Sequence, residues 1–422
     1  MLKPSLAREM ELESKYVMHT YGRKPVEFVE GHGMTLVDSD GKEYLDFLGG
    51  IAVVGLGHSH PAIVKAVQEQ AAKLMQTSNY YYANGRGLLA QKISRLIAGD
   101  VAGAAAAGTD ADVSADDERV FKTFFANTGA EANEGAFKLA RRYADMRGRK
   151  DAKTVLYLGK SFHGRTIATI AATGQPSKQD IFRPLPDGFR KIEQNDMQSF
   201  FDALEAEGDH VCAVVVECIQ GESGINPCSV EYLQALREET AKRDILLIVD
   251  EVQTGFFRCG THAFAFQHYG IEPDVVTMAK GIASGFPMGA FAARAEVADA
   301  MQPGDHGSTF GGNPMAVTAA LATIDTMLEL NVAANSREVG NYLAQKLEAL
   351  DGVTEVRGLG LMRGAQLDSP IAADVVAKGL EAGLVLNAPC PDVLRFVPPL
   401  ICTKDDVDVL AGKLSSILNE IR

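Results

Sequence analysis

The stretch that decides the fold is Ile245-Leu246-Leu247-Ile248-Val249-Asp250, which is followed after an aromatic-rich segment by Val275-Val276-Thr277-Met278-Ala279-Lys280. Each part is a short apolar run that leads to one charged residue, Asp250 in the first and Lys280 in the second. Short apolar runs of this kind are typical of buried strands in parallel sheets. Ligands of open α/β sheets bind at the carboxyl ends of the strands, so the pattern predicts an α/β fold with Asp250 and Lys280 at the ligand site.

A carboxylate and an amine at two strand ends suit one cofactor in particular, pyridoxal 5'-phosphate. An amine forms a Schiff base with its aldehyde, and a carboxylate keeps its ring nitrogen protonated. An Asp at a strand end is also common as a helix cap or in a surface ion pair, and a Lys there is usually solvated. The pair alone therefore does not decide between a cofactor site and an ordinary surface.

The residues around both positions resemble the class III (ω-amino-group) aminotransferases in three segments, 250–255, 279–281 and 285–290. The resemblance implies a fold-type I pyridoxal-phosphate transferase, an α/β protein whose large domain carries a mostly parallel sheet beside a smaller α+β domain. It also implies that Lys280 binds the cofactor covalently and that Asp250 pairs with the ring nitrogen. Val252 would pack on one face of the ring, and Gln253 would lie near its phenolic oxygen.

Composition argues against several other classes of protein. The chain has 422 residues, 46% of them hydrophobic, and a formal net charge of −14. This negative balance disfavours binding to nucleic acid or to an anionic membrane surface. The N-terminus lacks the apolar core of a signal peptide, no later run is long enough to span a membrane, and the six cysteines form no C-x-x-C pair. We therefore expect a cytoplasmic protein with reduced thiols and no metal.

The order of predicted elements indicates three parts. Residues 1–60 form an N-terminal arm that contributes to the small domain, residues 61–300 form the large cofactor-binding domain, and residues 301–422 form the small domain. Residues 99–117 consist almost entirely of Ala, Gly, Asp and Ser, which predicts a surface insertion or mobile loop without chemistry. The resemblance to the family covers nearly all the rest of the chain.

A phosphate site is predicted where a strand leads into a helix at 128–131. Thr128 and Glu131 have the spacing of a capping box, and a helix N-terminus offers free N–H groups to an anion. Plain helix capping explains an isolated motif of this kind equally well. In the family this stretch holds the cofactor phosphate, so the resemblance assigns Thr128, Gly129 and Ala130 to that role. It also assigns Thr309 to the phosphate bound in a neighbouring subunit, which implies a homodimer with shared active sites.

The remaining site residues are assigned by the same resemblance. Ile51 lines the substrate pocket, Phe162 stacks on the ring opposite Val252, Arg165 binds the distal carboxylate of the substrate, and Glu222 neutralises a mobile arginine, Arg395. An aromatic residue at a strand exit is more commonly part of the core, and exposed carboxylates after strands are frequent. The fork of an Arg guanidinium is well suited to a two-point contact with a carboxylate.

Within the family, residues 383–399 and 306–309 resemble the branch that acts on N2-acetylornithine. This predicts transfer of its terminal amino group to 2-oxoglutarate, giving the semialdehyde and glutamate in arginine biosynthesis. The alternatives are 4-aminobutyrate, ornithine or succinyl-diaminopimelate as donor, an aminomutase on the same scaffold, and a protein that binds the cofactor without catalysis. A gate formed by Glu222 and Arg395 is useful only with two alternating substrates, which favours a transaminase over an aminomutase.

Overall fold

The computed structural model describes residues 5–108 and 119–421. Its strands are β1 (Phe28–His32), β2 (Thr35–Asp38), β3 (Glu43–Asp46), β4 (Phe121–Ala126), β5 (Thr154–Leu158), β6 (Phe189–Ile192), β7 (Val211–Val216), β8 (Ile219–Gln220), β9 (Asn226–Pro227), β10 (Leu246–Asp250), β11 (Val275–Met278), β12 (Gly289–Arg294), β13 (Val353–Leu359), β14 (Met362–Leu367), β15 (Leu384–Val385), β16 (Asn387–Cys390) and β17 (Val393–Phe396). Its α-helices are α1 (Leu6–Tyr16), α2 (Gly49–Ala52), α3 (Pro61–Ala71), α4 (Arg86–Ala98), α5 (Val101–Ala106), α6 (Gly129–Met146), α7 (Ile167–Ala171), α8 (Pro176–Gln179), α9 (Met197–Glu207), α10 (Val230–Lys242), α11 (Ala295–Ala298), α12 (Pro314–Glu329), α13 (Val332–Glu348), α14 (Ala372–Glu381) and α15 (Lys404–Ile421).

A seven-stranded sheet with the order β4-β12-β11-β10-β7-β5-β6 forms the centre of the molecule. Its neighbours from β11 to β6 pair in parallel, whereas β12 is antiparallel to both β11 and β4. Val214 and Val216 of β7 belong to one buried cluster, and Ala213 and Val215 belong to another on the opposite face. Because both faces are covered, the strands are apolar throughout rather than alternating. The predicted α/β fold with a mostly parallel sheet is confirmed.

Two smaller sheets join distant parts of the chain. One has the order β1-β2-β3-β15, in which Leu384 of β15 pairs in parallel with Leu45 of β3. The other, β13-β14-β17-β16, is antiparallel. The N-terminal strands are thus built into a sheet with a strand from the C-terminal part of the chain.

The predicted surface insertion at 99–117 contains a helix, so the loop prediction was wrong for residues 101–106. Asp100 caps α5 by accepting a hydrogen bond from the N–H of Gly103, and Nζ of Lys92 donates to the carbonyl of Ala104 at 2.8 Å. An Asp followed by an alanine-rich run has the capping residue and the propensity that a helix needs. The part of the insertion between 109 and 117 lies outside the described residues.

Within residues 5–108 and 119–421, no single helix is long and apolar enough to cross a membrane. The helices α12 and α13 reach the length and apolar content of a membrane span only when they are taken together, and the chain bends by 68° between them.

Candidate active site

A cavity of about 520 Å³ opens where the carboxyl ends of β4, β5, β7, β10 and β11 meet. Its lining contains these predicted site residues: Thr128, Gly129, Ala130, Phe162, Arg165, Glu222, Asp250, Val252, Gln253 and Lys280. They converge because parallel strands deliver the residues that follow them to one edge of the sheet. A larger hollow of about 670 Å³, beside Phe121 and Phe266, contains none of the predicted site residues.

Lys280 is the most unusual residue of the cavity wall. It stands two positions after the end of β11 with φ +44°, a left-handed conformation that is rare for residues with a side chain. Burial lowers the pKa of its amine to about 8, against the opposing effect of the negative charge of Glu222. Within the described ranges, the amine donates no hydrogen bond to another residue. With this pKa about a tenth of the amine is neutral at pH 7, far more than for an ordinary lysine, and the neutral form can act as nucleophile and base.

Asp250 presents its carboxylate at the same wall. Its Oδ2 accepts hydrogen bonds from Nδ2 of Asn133 at 2.8 Å and from Nδ1 of His163 at 2.7 Å. Its Oδ1 accepts a hydrogen bond from the N–H of Val252 at 3.0 Å. Three donated hydrogen bonds fix the position of this carboxylate on the cavity wall, where it can pair with a protonated ring nitrogen.

The two side chains that hold Asp250 were missed by sequence reasoning. Asn133 lies on α6, where its Oδ1 accepts a hydrogen bond from Oγ1 of Thr277 at 2.8 Å and its amide also donates to the carbonyl of His163 at 2.9 Å. Burial by itself lowers the pKa of His163, but the hydrogen bond and charge of Asp250 raise it above the ordinary value. His163 stands in the same motif as Phe162 and Arg165, whereas nothing in the sequence links Asn133 to a strand end that follows much later.

Glu217 is a second buried acid beside Asp250. It follows β7, and its Oε2 accepts a hydrogen bond from the N–H of Phe162 at 2.9 Å. Burial raises the pKa of this carboxyl to about 7, although the nearby His163 lowers it. The hydrogen bond from the N–H of Phe162 to Glu217 fixes the backbone that carries the Phe162 ring.

The predicted anion site is the start of α6. Oγ1 of Thr128 accepts a hydrogen bond from the N–H of Glu131 at 3.2 Å, while the carboxylate of Glu131 accepts one from the N–H of Asn127 at 2.8 Å. A Cβ at Gly129 would lie 2.8 Å from Cγ1 of Val252, so only glycine allows this close approach. The first N–H groups of a helix have no partner within it and are available to an anion.

Glu222 and Arg395 form an ion pair next to Lys280. Nη1 of Arg395 donates to Oε1 of Glu222 at 2.7 Å and to the carbonyl of Gly221 at 3.0 Å. The amide of Gln253 bridges the pair, because it accepts from Nη1 of Arg395 at 3.3 Å and donates to Oε1 of Glu222 at 3.0 Å. Burial alone raises the pKa of Glu222, but the charge of Arg395 lowers it to about 2. Glu222 therefore stays ionised and neutralises Arg395 in this structure.

A second cation accompanies Arg165. The guanidinium of Arg165 lies 5.7 Å from the centroid of the Phe162 ring, and Nζ of Lys178 lies 5.8 Å from the same centroid. Burial and the charge of Arg165 lower the pKa of Lys178. Two cations beside one ring suit a carboxylate ligand. Sequence reasoning missed Lys178, whose position depends on how the chain returns through α7 and α8.

Three predicted residues do not line the cavity of a single chain: Ile51, Thr309 and Arg395, the last of which contacts the lining residue Glu222. Ile51 is partly exposed with φ +65°, and Val53 contributes to the lining instead. Thr309 is exposed, and its carbonyl accepts a hydrogen bond from Nε2 of Gln76 at 2.6 Å. The adjacent Ser308 accepts a hydrogen bond from Nδ2 of Asn127 at 3.2 Å, so this loop lies beside the start of α6. The roles of Ile51 and Thr309 stay predictions.

Comparison with known proteins decides the family. Residues 16–418 match the family model described as aminotransferase class-III. The chain belongs to the class-III aminotransferases. Members of this family depend on pyridoxal 5'-phosphate, so the protein is a pyridoxal-phosphate-dependent aminotransferase.

Similar class-III aminotransferases match along nearly the whole chain. An acetylornithine aminotransferase of Methanocaldococcus jannaschii is 43% identical over 417 residues, 98% of each chain, and one of Gloeobacter violaceus is 44% identical over 409 residues, 96% of each. Among solved structures, an acetylornithine aminotransferase of Elizabethkingia anophelis has a TM-score of 0.82 and 30% identity, with 99% of this chain and 100% of that one covered. An ornithine aminotransferase of Toxoplasma gondii has a TM-score of 0.89 at 28% identity, with 99% and 95% covered.

The cavity of this class-III aminotransferase fits the cofactor of its family. Asp250 offers a carboxylate for a ring nitrogen, the start of α6 offers N–H groups for a phosphate, and Lys280 offers a partly neutral amine. When bound, pyridoxal phosphate supplies an aldehyde for attachment and a ring that withdraws electrons. With the cofactor bound, Nζ of Lys280 would carry the proton that leaves the substrate carbon.

Proposed function

We propose that this enzyme transfers the terminal amino group of N2-acetylornithine to 2-oxoglutarate, giving the semialdehyde and glutamate, as in arginine biosynthesis. The observation that carries the proposal is the series of full-length relatives, 39–44% identical, that bear the name acetylornithine aminotransferase. The solved ornithine aminotransferase is similar in fold but has a lower identity, 28%.

The chemistry of the cavity agrees with such a donor. N2-acetylornithine has a carboxylate at one end and the reactive amine at the other, so Arg165 and Lys178 are suited to its carboxylate while the amine reaches Lys280. Its acylated α-nitrogen is neutral and suits an apolar wall, which we propose includes Ile51. Free ornithine would bring an ammonium group to the same wall, and desolvation of that charge costs a few kcal/mol.

We expect catalytic efficiency with 2-oxoglutarate as acceptor to be at least about tenfold higher for N2-acetylornithine than for ornithine, roughly 1.4 kcal/mol in transition-state binding. It should also exceed the value for 4-aminobutyrate. Steady-state assays of the purified enzyme with each donor measure this ranking. A preference for ornithine or 4-aminobutyrate would refute the acetylornithine assignment and leave the aminotransferase assignment intact.

We further propose that Glu222 and Arg395 act as a gate between the two substrates. While the donor is bound, Glu222 neutralises Arg395, as the 2.7 Å contact permits. When glutamate or 2-oxoglutarate binds, Arg395 turns to the carboxylate next to the reactive carbon, and Arg165 holds the distal carboxylate. Arg165→Ala should then weaken both half-reactions, because one arginine serves a carboxylate in each.

Glu222→Ala is expected to let dicarboxylates compete better during the donor half-reaction, because Arg395 would lose its neutralising partner. Glu222→Gln is the matched control, since it keeps a hydrogen-bonding group of similar shape but removes the charge, and it should behave like Glu222→Ala. Single half-reactions followed by cofactor absorbance give the ratio of donor to glutamate rates. An unchanged ratio in both variants would rule out the gate.

We also propose a homodimer with shared sites, on the basis of exposed apolar side chains on two neighbouring segments. These side chains lie on the segment before α4 and on the Thr309 loop: Leu74, Met75, Tyr80, Tyr81, Tyr82 and Phe310. Nδ2 of Asn79 joins the two segments by donating to the carbonyls of Ser308 and Gly311, at 3.0 Å each. Exposed apolar patches of this kind are typical of protein interfaces, and a second copy of the chain would bring Thr309 to the partner's phosphate site.

Thr309→Ala is expected to weaken retention of the cofactor without dissociating the dimer, because it removes one hydroxyl donor to the phosphate. Thr309→Ser keeps the hydroxyl and serves as the control. Dilution of the wild-type enzyme should dissociate the dimer into monomers and release the cofactor over the same concentration range. Analytical ultracentrifugation with detection at the cofactor wavelength measures both. A monomer that retains the cofactor with full affinity would disprove shared sites.

The domain division at residues 60 and 300 and a cytoplasmic location are also proposed. The pairing of β15 with β3 supports an N-terminal arm that contributes to the small domain. In the described part of the chain all six cysteines are free thiols, which agrees with a reducing compartment.

A further inference from the structure

The guanidinium of Arg395 is held at two separate nitrogens. Nε donates to Oδ1 of Asn387 at 3.0 Å, whereas Nη1 donates to Glu222, to the carbonyl of Gly221 and to Gln253. Asn387 and Arg395 are direct partners across the β16–β17 ladder, so the backbone fixes the distance between their side chains. The Nε contact therefore belongs to the small sheet that carries Arg395, while the Nη1 contacts belong to loops beside the central sheet.

We propose that Asn387 is the pivot of the gate, a positioning residue that holds Nε of Arg395 while Nη1 exchanges Glu222 for the carboxylate of the incoming dicarboxylate. The proposal rests on the two-substrate function argued above and adds a residue that sets its selectivity. Asn387 suits this task because its amide is neutral and does not compete with an arriving anion for the charge of Arg395. Its bond to Nε can also remain when Nη1 moves, because the two bonds use different nitrogens.

The gate has a closed position, in which Nη1 of Arg395 binds Glu222, and an open position, in which Nη1 binds the incoming carboxylate. The two positions depend on Asn387 to different degrees. In the closed position Nη1 has three acceptors besides the Asn387 contact, and one of them is the charged Glu222. Loss of Asn387 therefore has little effect on the closed position. Once Nη1 leaves Glu222, the Nε bond is the contact that keeps the plane of the guanidinium oriented toward the substrate. Loss of Asn387 should then weaken dicarboxylate binding selectively.

The test uses two ligands that cannot react. Glutarate offers two carboxylates and so engages both Arg165 and Arg395, whereas N-acetyl-L-norvaline resembles the donor without its terminal amine and offers only one carboxylate. Binding of each to the cofactor-loaded enzyme is measured by calorimetry for wild type and for Asn387→Leu, which keeps the side-chain size and removes the acceptor. We expect the Kd of glutarate to rise about tenfold and that of N-acetyl-L-norvaline to change less than about twofold.

Two further variants distinguish a wrong pivot from a wrong gate and from a disturbed strand. Cys390→Ser, at the other end of β16, controls for disturbance of the strand and should leave both Kd values unchanged. Arg395→Ala tests the gate itself, because glutarate affinity that does not fall in this variant would refute the gate and with it the pivot. If Arg395→Ala weakens glutarate binding but Asn387→Leu does not, the pivot alone is wrong. If Asn387→Leu weakened the binding of both ligands equally, Asn387 would have a purely structural role and the pivot would be refuted. Asn387→Ser provides a second variant if the leucine protein does not fold.

Discussion

Replacement of Lys280 by alanine is expected to abolish covalent attachment of pyridoxal phosphate and to lower the transamination rate by at least about 10³-fold. The amine has two tasks, attachment of the cofactor and transfer of the proton at the substrate carbon, and alanine can perform neither. Its pKa, which burial lowers to about 8, makes the wild-type amine partly neutral near pH 7. Single-turnover half-reactions with the donor measure the loss of rate directly.

The site of attachment is checked by borohydride reduction and peptide mapping. The pyridoxyl group should be found on the peptide that contains Lys280 in the wild-type enzyme and on no peptide of the alanine variant. Lys280→Arg keeps the positive charge without a nucleophilic amine and should also remain unlabelled. Lys160→Ala replaces a lysine outside the cavity lining and should label normally. A label on another lysine of the wild-type enzyme would contradict the assigned chemistry.

The residues that sequence could predict are those that directly follow apolar strands. Asp250 ends β10 and Lys280 follows β11, and both strands are buried along their whole length. Their position in the fold therefore follows from hydrophobic pattern and strand direction alone. The helix start at Thr128 was predictable for a similar reason, because a capping residue marks where a helix begins.

The residues that sequence could not predict reach the site through tertiary packing. Asn133 lies on the buried face of α6, which packs on β10 and β11. In the sequence alone, nothing distinguishes Asn133 from any other polar residue of a helix. Lys178 of α8 comes beside Phe162 only through the return of the chain, and Asn387 meets Arg395 through a strand pairing whose register the sequence does not specify. Ile51 has φ +65°, a backbone conformation that its sequence does not indicate, and its role in the substrate pocket stays a prediction.

Replacement of Asp250 by asparagine is the second change with a large expected effect, a loss of roughly 10²- to 10³-fold in kcat/KM. Asparagine is nearly the same size but carries no charge to pair with a protonated ring nitrogen. Its amide nitrogen would also meet donors from Asn133 or His163, and a buried donor left unpaired costs about 1–3 kcal/mol of stability. The absorbance spectrum of the bound cofactor should change together with kcat/KM, because both report the protonation of the ring.

A matched pair of variants separates the charge of Asp250 from general damage to the core. Asp274→Asn replaces another buried aspartate, which forms ion pairs with Arg237 and Arg294, so it should lower the melting temperature and leave the cofactor spectrum unchanged. His163→Phe removes one of the three donors to Asp250 but keeps the carboxylate, so we expect a smaller loss in kcat/KM, about tenfold, with a shift of the spectrum in the same direction as for Asp250→Asn. If His163→Phe lowered the melting temperature but left the spectrum unchanged, His163 would be a packing residue, and the stabilisation of Asp250 would rest on Asn133 and the N–H of Val252.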